Sequence, residues 1–520
     1  MESILVYDTT LRDGSQGEKI NFSAQDKLRI AQRLDAMGVH YIEGGWPGSN
    51  PKDVQFFELA KGVPFKHARL AAFGSTRRKN TRPEEDANIT ALLESETPAV
   101  TIFGKSWDLH VKDVMGNTLK ENLSMIYDSV AYLRSQGREV IYDAEHFFDG
   151  YKNNPEYAID TIEAAVTGGA DVVVLCDTNG GTLTFETEEI MGKVCPKIPV
   201  KVGIHAHNDC GLAVANTLAA VRLGAVMIQG TVNGYGERCG NADLTSVIPN
   251  LQLKMGLPCM TEENLRRLTE LSRYVSEVAN MTPFNGRPFV GKSAFAHKGG
   301  IHVNAVMKTP KAYEHIEPES TGNERRVLIS DLCGKSNVAY KARELGVKLG
   351  ENGVDSKKIA REIKRLEHEG YEFEAAEGSF ELLLKRLTEQ FKPLFDLESF
   401  RVAIEKEKDL PCRAHAMIKI SVGDQQEITA AEGNGPVNAL DNALRKALNK
   451  FFPVDLEKMH LVDFKVRVIE GRDGTAARVK VFIDSRDQKR VWSTIGVSTD
   501  VIGASWQALE DSFHYKLSHT

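Results

Sequence analysis

No stretch of this 520-residue chain approaches the ~18 consecutive apolar residues of a membrane-spanning helix, so a span of that kind is excluded. The start, MESILVYDTTLRDG, lacks the basic segment and apolar run of a secretory signal, so export is not expected. Cysteine is scarce: seven residues, an odd number, with no C-x-x-C pair. That argues against a disulfide framework and fits a reduced, cytoplasmic protein. Charge of one sign is lacking too. Against 65 Lys plus Arg stand 72 Asp plus Glu, and a net charge of −7 offers no bulk attraction to nucleic acid or anionic lipid. What remains is an ordinary globular mixture, 42% hydrophobic and 26% charged, which excludes a mostly disordered chain. One hydrophobic core stops growing at about 250–300 residues, so two or three domains are expected.

Eight short β-rich runs recur along the first half: 3–8, 40–45, 70–75, 99–104, 138–144, 171–176, 200–206 and 226–231. Helical patterns separate them. In 24–38, Leu28, Ala31, Leu34 and Met37 recur at helical spacing and Gly38 supplies a stop. Eight β-then-α units in about 250 residues is the arithmetic of a TIM (β/α)8 barrel. An open doubly wound sheet is the alternative, weakened because no G-x-G-x-x-G follows the first strand. A single amphipathic helix is expected over 261–280, then loops with short helices over 281–330. Residues 331–390 read as charged helices, either a connector or a cap over a substrate. From about 395 two strands and a helix, RAHAMIKISVG, DQQEITAAEG and VNALDNALRKALNKF, are followed by ARVKVFIDS, RVWSTIGVS and DVIGASWQALEDSF. This α/β domain reads as a duplicated ββα unit, with Gly433 and Gly496 at matching places before the helices. The crevice between repeats is either a small-ligand site or part of a plain dimerisation module. The expected division is 1–280 barrel, 281–392 linker or lid, and 393–520 C-terminal domain.

Chemistry concentrates at the ends of the strands. His205 and His207 close the seventh, and residues i and i+2 of a strand face one side. Both imidazoles are expected at the C-terminal mouth, where barrel active sites sit. Two same-face His beside acids suit a divalent metal. Just past the first strand, Asp13 offers an oxygen ligand and Arg12 a planar fork for a carboxylate or carbonyl. Alone, that pair reads more readily as a surface turn. After the eighth strand, NGYGERCGN brings Asn241 as a fourth ligand and Glu237 to orient one. Glu43, Asp143, Glu145, Asp177 and Thr178 also end strands, with Glu43 and Asp177 expected to be structural hydrogen-bonders.

These residues carry a resemblance. Leu11-Arg12-Asp13-Gly14-x-Gln16 with Lys27, and Val202-x-x-His205-x-His207-Asn208-Asp209-x-Gly211-x-Ala213, resemble the two signatures of the 2-isopropylmalate, homocitrate and citramalate synthase family. The GYGERCGN loop and the ASWQAL helix extend the resemblance over essentially the whole chain. Within the family, GGWPGSNPKD, DAEHFFDGYKNNPEYA, GNERRVLISDLCGKSNV and STDVIGASWQAL resemble the long-form citramalate synthase branch. The resemblance implies condensation of acetyl-CoA with pyruvate to (R)-citramalate, an entry to isoleucine. It implies Asp13, His205, His207 and Asn241 as metal ligands and Arg12 against the developing oxyanion. Glu145 and Thr178 match substrate-binding positions, and Asp143 is added to that set. His302 matches a catalytic His with Tyr313 as partner, whereas His297 is not the matching residue. In the family this region reaches over the other subunit, which implies a homodimer. Isoleucine is the implied feedback regulator, bound by the C-terminal domain. The mixed ligand set leaves Mg²⁺, Mn²⁺ and Zn²⁺ open. Also open are 2-isopropylmalate synthesis, a hydroxyacyl-CoA lyase, and a non-catalytic amino-acid sensor.

Overall fold

The computed structural model describes residues 3–349, 356–409, 411–469 and 476–519. Eight parallel strands close on themselves: β1 Leu5–Asp8, β2 Tyr41–Gly45, β3 Arg69–Ser75, β4 Ala99–Lys105, β5 Glu139–Glu145, β6 Val172–Asp177, β7 Lys201–Ala206 and β8 Met227–Gly230. Closure is made by β1 pairing β8, with Leu5 opposite Met227 and Asp8 opposite Gly230. The expected strands stand within two residues of these bounds. Outward side chains such as Val6, Ile42, Val100, Val140 and Val173 join the layer under the surrounding helices. Tyr7, Tyr41, Ala71, Ala99, Ile141, Val172, Val174, Cys176 and Met227 form a separate apolar plug. This is the period-2 alternation of a strand buried on both sides.

Local signals place the elements. Helix Ala24–Ala36 starts at Ser23, which caps the Asp26 backbone N–H while the Asp26 carboxylate returns to the Ser23 N–H. Its buried Lys27 donates to the Gly44 carbonyl (3.1 Å) and pairs with Asp53, which also accepts from the Trp46 N–H at 2.8 Å. Gly45, at φ +148°, is required there because a Cβ would lie 2.3 Å from the Asp53 carboxyl carbon. The region 261–280, expected as one helix, is two: Glu262–Leu265 and Leu268–Val278. The break falls at Arg266–Arg267, where the Arg266 carbonyl meets Gly322, a position with no room for a Cβ.

The chain divides into two compact units, Met1–Phe295 with Ile316–Glu324, and Ala296–His315 with Arg325–Thr520. The returning segment is tied into the first unit by Thr269 donating to the Thr321 carbonyl at 2.8 Å. In the second unit, β9 Ala296–His297 pairs with β10 Arg326–Val327, and helix Gly300–Lys308 lies between them in sequence. Three helices follow, Lys335–Glu344, Ser356–His368 and Glu377–Leu387, packed through Val338, Ile359, Ile363, Phe380 and Leu384.

The C-terminal duplication has one more strand per repeat than expected. The first repeat is β11 Asp396–Glu405, β12 Arg413–Val422, β13 Gln425–Gly433 and helix Pro436–Leu448. The second is β14 His460–Val468, β15 Val479–Arg486, β16 Val491–Ser498 and helix Val501–Leu517. Each leading strand sits at a sheet edge and is largely exposed, which explains its weak hydrophobic signal. The glycines match in role. A Cβ on Gly433 would lie 2.3 Å from the Ala439 nitrogen, and one on Gly496 2.0 Å from the Ala504 carbonyl oxygen, so each lets its helix close onto the sheet. Among the described residues no helix is long and apolar enough to cross a membrane.

The Lys27–Asp53 pair yields a stability prediction. Lys27→Met leaves a buried carboxylate without its counter-charge and should cost about 3–5 kcal/mol in urea unfolding. The double variant Lys27→Met/Asp53→Leu should recover part of that loss. A single variant as stable as the parent would contradict the pairing.

Candidate active site

The register of the barrel brings the strand ends together. Cys176 of β6 and Gln229 of β8 flank His205 of β7, so their side chains share the interior face. His207 forms an isolated antiparallel bridge with Asn241, which draws the loop after β8 onto the end of β7. Asp13 follows β1 on the other side of β8. The result is one buried cluster. Asp13 Oδ2 lies 3.3 Å from His205 Nε2 and 3.7 Å from His207 Nε2, and Asn241 Nδ2 is 3.2 Å from Asp13 Oδ2 and 3.1 Å from His205 Nε2. Ligand-type atoms of Asp13, His205 and His207 all fall within 4.8 Å of one another.

Three buried atoms of this cluster have no hydrogen-bond partner: Asp13 Oδ1, Asn241 Oδ1 and His207 Nδ1. Buried oxygens left unsatisfied are costly, and a cation would satisfy them. The donor set, a carboxylate, two imidazoles and an amide oxygen, fits a divalent ion. Burial would raise the Asp13 carboxyl, but the Arg12 guanidinium and the neighbouring imidazoles hold it well below the usual carboxylate range. Burial pushes His207 down to about 4 against the pull of Asp13. It opposes protonation of His205 too, yet the bond and charge of Asp13 raise that imidazole.

Arg12 is held on three sides. Its Nε donates to Glu43 at 2.6 Å, its Nη1 lies 3.2 Å from Asp13, and its guanidinium carbon sits 3.8 Å over the Phe73 ring. Glu43 also accepts from the Tyr7 hydroxyl (2.7 Å) and the Thr9 hydroxyl (2.5 Å). It is a structural hydrogen-bonder, as is Asp177, which accepts from the Thr182 hydroxyl at 2.9 Å. Glu145 pairs with Lys105, and the Thr178 hydroxyl accepts from the His146 N–H at 2.9 Å. Asp143 accepts from Gln229 Nε2 at 3.0 Å, and burial pushes its carboxyl up to about 7. Glu237 is 60% exposed and lies 3.7 Å from Arg238. Arg238 instead grips Asp209 through two bonds of 2.8 and 2.9 Å.

Arg12, Asp13, Asp143, Glu145, Thr178, His205 and His207 line one cavity of about 190 Å³, and Asn241 bonds to two of them. Gln16, Cys176, Glu237 and Arg238 also line it, and the rest of its wall is aromatic. Trp46 meets Phe73 and Phe103 edge-on at 5.8 and 5.5 Å, and the two phenyl rings stack at 5.5 Å. Sequence reasoning passed over these rings and over Gln229. Phe73 stands two positions after plug residue Ala71 and Phe103 four after plug residue Ala99, and that even spacing along each strand was the available signal. His302 and Tyr313 belong to the second unit. Their rings stack at 4.3 Å, and Tyr313 is 47% exposed. His297 Nε2 donates to the Glu314 carboxylate at 3.0 Å, and Arg325 holds the same carboxylate.

Comparison with known proteins extends this geometry. Residues 3–275 match the HMGL-like family, 289–371 the homocitrate synthase post-HMGL domain-like family, and 374–517 the LeuA allosteric (dimerisation) domain. The (R)-citramalate synthase of Aquifex aeolicus is 56% identical over 99% of this chain and 98% of its own. That of Geobacter sulfurreducens is 52% identical over the same shares. A probable 2-isopropylmalate synthase of Methanopyrus kandleri is more distant, 29% identical over 98% of this chain and 97% of its own. With the barrel and a C-terminal allosteric (dimerisation) domain matched and these relatives aligned along nearly the full length, the chain is an enzyme that belongs to the (R)-citramalate synthase family.

Proposed function

We propose that this enzyme condenses acetyl-CoA with pyruvate to (R)-citramalate and CoA in a divalent-metal-dependent reaction, and that isoleucine restrains it. The observation that carries the catalytic reading is the convergence of Asp13, His205, His207 and Asn241 with two unsatisfied oxygens beside Arg12. These four side chains would hold the ion, which when bound supplies Lewis-acid polarisation of a keto oxygen. Arg12, locked by Glu43 and Phe73, meets the alkoxide that develops on the acceptor carbonyl. Glu145, Thr178 and Asp143 orient the keto acid. A base takes a proton from the acetyl methyl, and the new carbon–carbon bond forms as the methyl carbon attacks the keto carbon. His302 with Tyr313 is the proposed base, supplied across a homodimer. Water then cleaves the thioester, releasing CoA as the thiol and citramalate as the acid.

The choice of acceptor rests on the relatives: (R)-citramalate synthases match at 52–56% identity, the 2-isopropylmalate synthase at 29%. Trp46, Phe73 and Phe103, which wall the cavity of about 190 Å³, are the side chains placed to meet the acceptor's alkyl group.

Regulation is assigned to the C-terminal duplication. A cavity of about 930 Å³ lies between the repeats, lined by Gly435, Val437 and Asn438 at one helix start and Val501 and Ile502 at the other. The second helix start is already capped by Asp500, so the first, with no side-chain cap at Gly435, is the one left for a carboxylate. Asp441, with an unpartnered Oδ1, faces the same cavity and suits an ammonium. Exposed Val462, Phe464, Val466 and Val468 of β14 offer apolar surface for the partner subunit. Inhibition requires different affinity for two enzyme states, of about 1–3 kcal/mol.

Three outcomes are expected. A chelator should abolish CoA release, and Mg²⁺, Mn²⁺ or Zn²⁺ should restore it in the parent but not in Asp13→Ala; unimpaired chelated enzyme would remove the metal from the reaction. Across a keto-acid panel pyruvate should give the highest kcat/KM, and Phe103→Ala should shift preference toward larger acceptors by about 10-fold or more, the scale of one or two methylenes. A parent that prefers 2-ketoisovalerate would replace this reading with isopropylmalate synthesis. Finally, Val437→Arg should raise the isoleucine concentration for half-inhibition by about 10-fold or more, since the coupling available is of that order. Equal inhibition of parent and variant would displace the regulator from this cavity.

A further inference from the structure

The two imidazoles of the rim cluster are not held alike. His207 Nδ1 is buried without a partner, whereas His205 Nδ1 lies 2.8 Å from Gln229 Oε1. Gln229 is fully buried in the middle of β8, directly opposite His205 in the parallel ladder. Its amide has two different neighbours: Oε1 faces the imidazole, and Nε2 donates to Asp143 Oδ1 at 3.0 Å.

The polarity of this chain is set at its Asp143 end. Turning the Gln229 amide over would set Oε1 against the Asp143 carboxylate, acceptor against acceptor, and would aim an N–H at His205 Nδ1. The Nε2 end faces both Asn241 Nδ2 at 3.1 Å and Asp13 Oδ2 at 3.3 Å, so it accommodates a lone pair or a proton and leaves the choice to Nδ1. The Gln229 amide, anchored on Asp143, presents its carbonyl oxygen there and selects the Nδ1–H form.

We propose that Gln229 is a positioning residue that holds His205 as the Nδ1–H form, keeping the Nε2 lone pair for a divalent cation, with Asp143 setting the sense of the Gln229 amide. This rests on the reading of Asp13, His205, His207 and Asn241 as a cation site. It also gives Asp143 a task separate from substrate binding. Orientation of a ligating imidazole through its far nitrogen affects metal affinity by about 10–100-fold. Gln229 does not line the cavity, so its effect should fall on cation binding rather than on turnover at saturating cation.

The test uses the full-length enzyme labelled with ¹⁵N-histidine and freed of metal, with the His205 ring signals assigned by their loss in His205→Asn. The parent should show a His205 Nδ1 that is protonated and slow to exchange. Gln229→Met should lose that signature and, in a Mn²⁺ titration followed by electron paramagnetic resonance, bind about 10–100-fold more weakly. Its kcat at saturating Mn²⁺ should stay within a few-fold of the parent. Gln229→Glu restores an acceptor opposite Nδ1 and should recover most of the affinity. Asp143→Asn removes the anchor and should split the His205 signal into two ring forms, which tests the idea even if Gln229→Met does not fold. Unchanged ring signals and Mn²⁺ affinity in Gln229→Met, or a single unchanged His205 form in Asp143→Asn, would overturn the proposal. A parent that shows the Nδ1–H signature yet takes up no Mn²⁺ would support the positioning role and defeat the cation reading instead.

Discussion

A closed eight-stranded barrel admits one side chain in two to its interior, and this constraint organises the protein. The lower interior is spent on Tyr7, Tyr41, Ile141, Val172 and Met227, which fill the space without polar atoms to satisfy beyond two hydroxyls. Polar side chains can then be afforded only at the upper rim, where strands end and loops supply partners. Asp13, Asp143, Glu145, His205 and Gln229 all occupy that level. Because inward positions are fixed by the ladder, each rim residue meets its neighbour at strand spacing, and loop residues such as Asn241 need only to close the ring.

The rim is a collection of buried charges that stabilise one another locally. Glu43 is the hinge of the arrangement: it receives Tyr7, Thr9 and Arg12 at once. Arg12 in turn offsets Asp13, and Phe73 covers the guanidinium face. A flexible arginine would lose most of its preference for one orientation. Here the planar fork is pinned by a carboxylate and a ring, so it presents its remaining N–H groups in a fixed direction, which is the property an oxyanion contact needs.

Much of this was legible in the sequence because it follows from short-range periodicity. His205 and His207 stand two positions apart at the end of β7, and extended-chain geometry places them on one side. The alternation of β-rich and helical runs gave the barrel, since buried parallel strands are apolar throughout. Other features left weaker marks. Gln229 lies inside the apolar run VMIQGT, and its meaning depends on Asp143, 86 residues away and three strands distant. Phe73 and Phe103 look like ordinary core residues until the register sets them against Trp46. Strands β11 and β14 pair along a single edge and bury little, so DLESFRVAIE and HLVDFKVRV lack a clean alternation. The break at Arg266–Arg267 depends on the approach of Gly322, which no local pattern around the helix reports.

The chain's route between its two compact units has a consequence for how they can be parted. It leaves the first unit after Phe295, comes back for Ile316–Glu324, and leaves again. The segment bearing His302 and Tyr313 is thus a closed excursion, anchored at both ends by chain that belongs to the barrel unit. One peptide cleavage cannot free the second unit intact, and one genetic crossover cannot replace it without splitting it. The Thr269–Thr321 tie that holds the returning segment therefore also fixes one end of that excursion to the first unit.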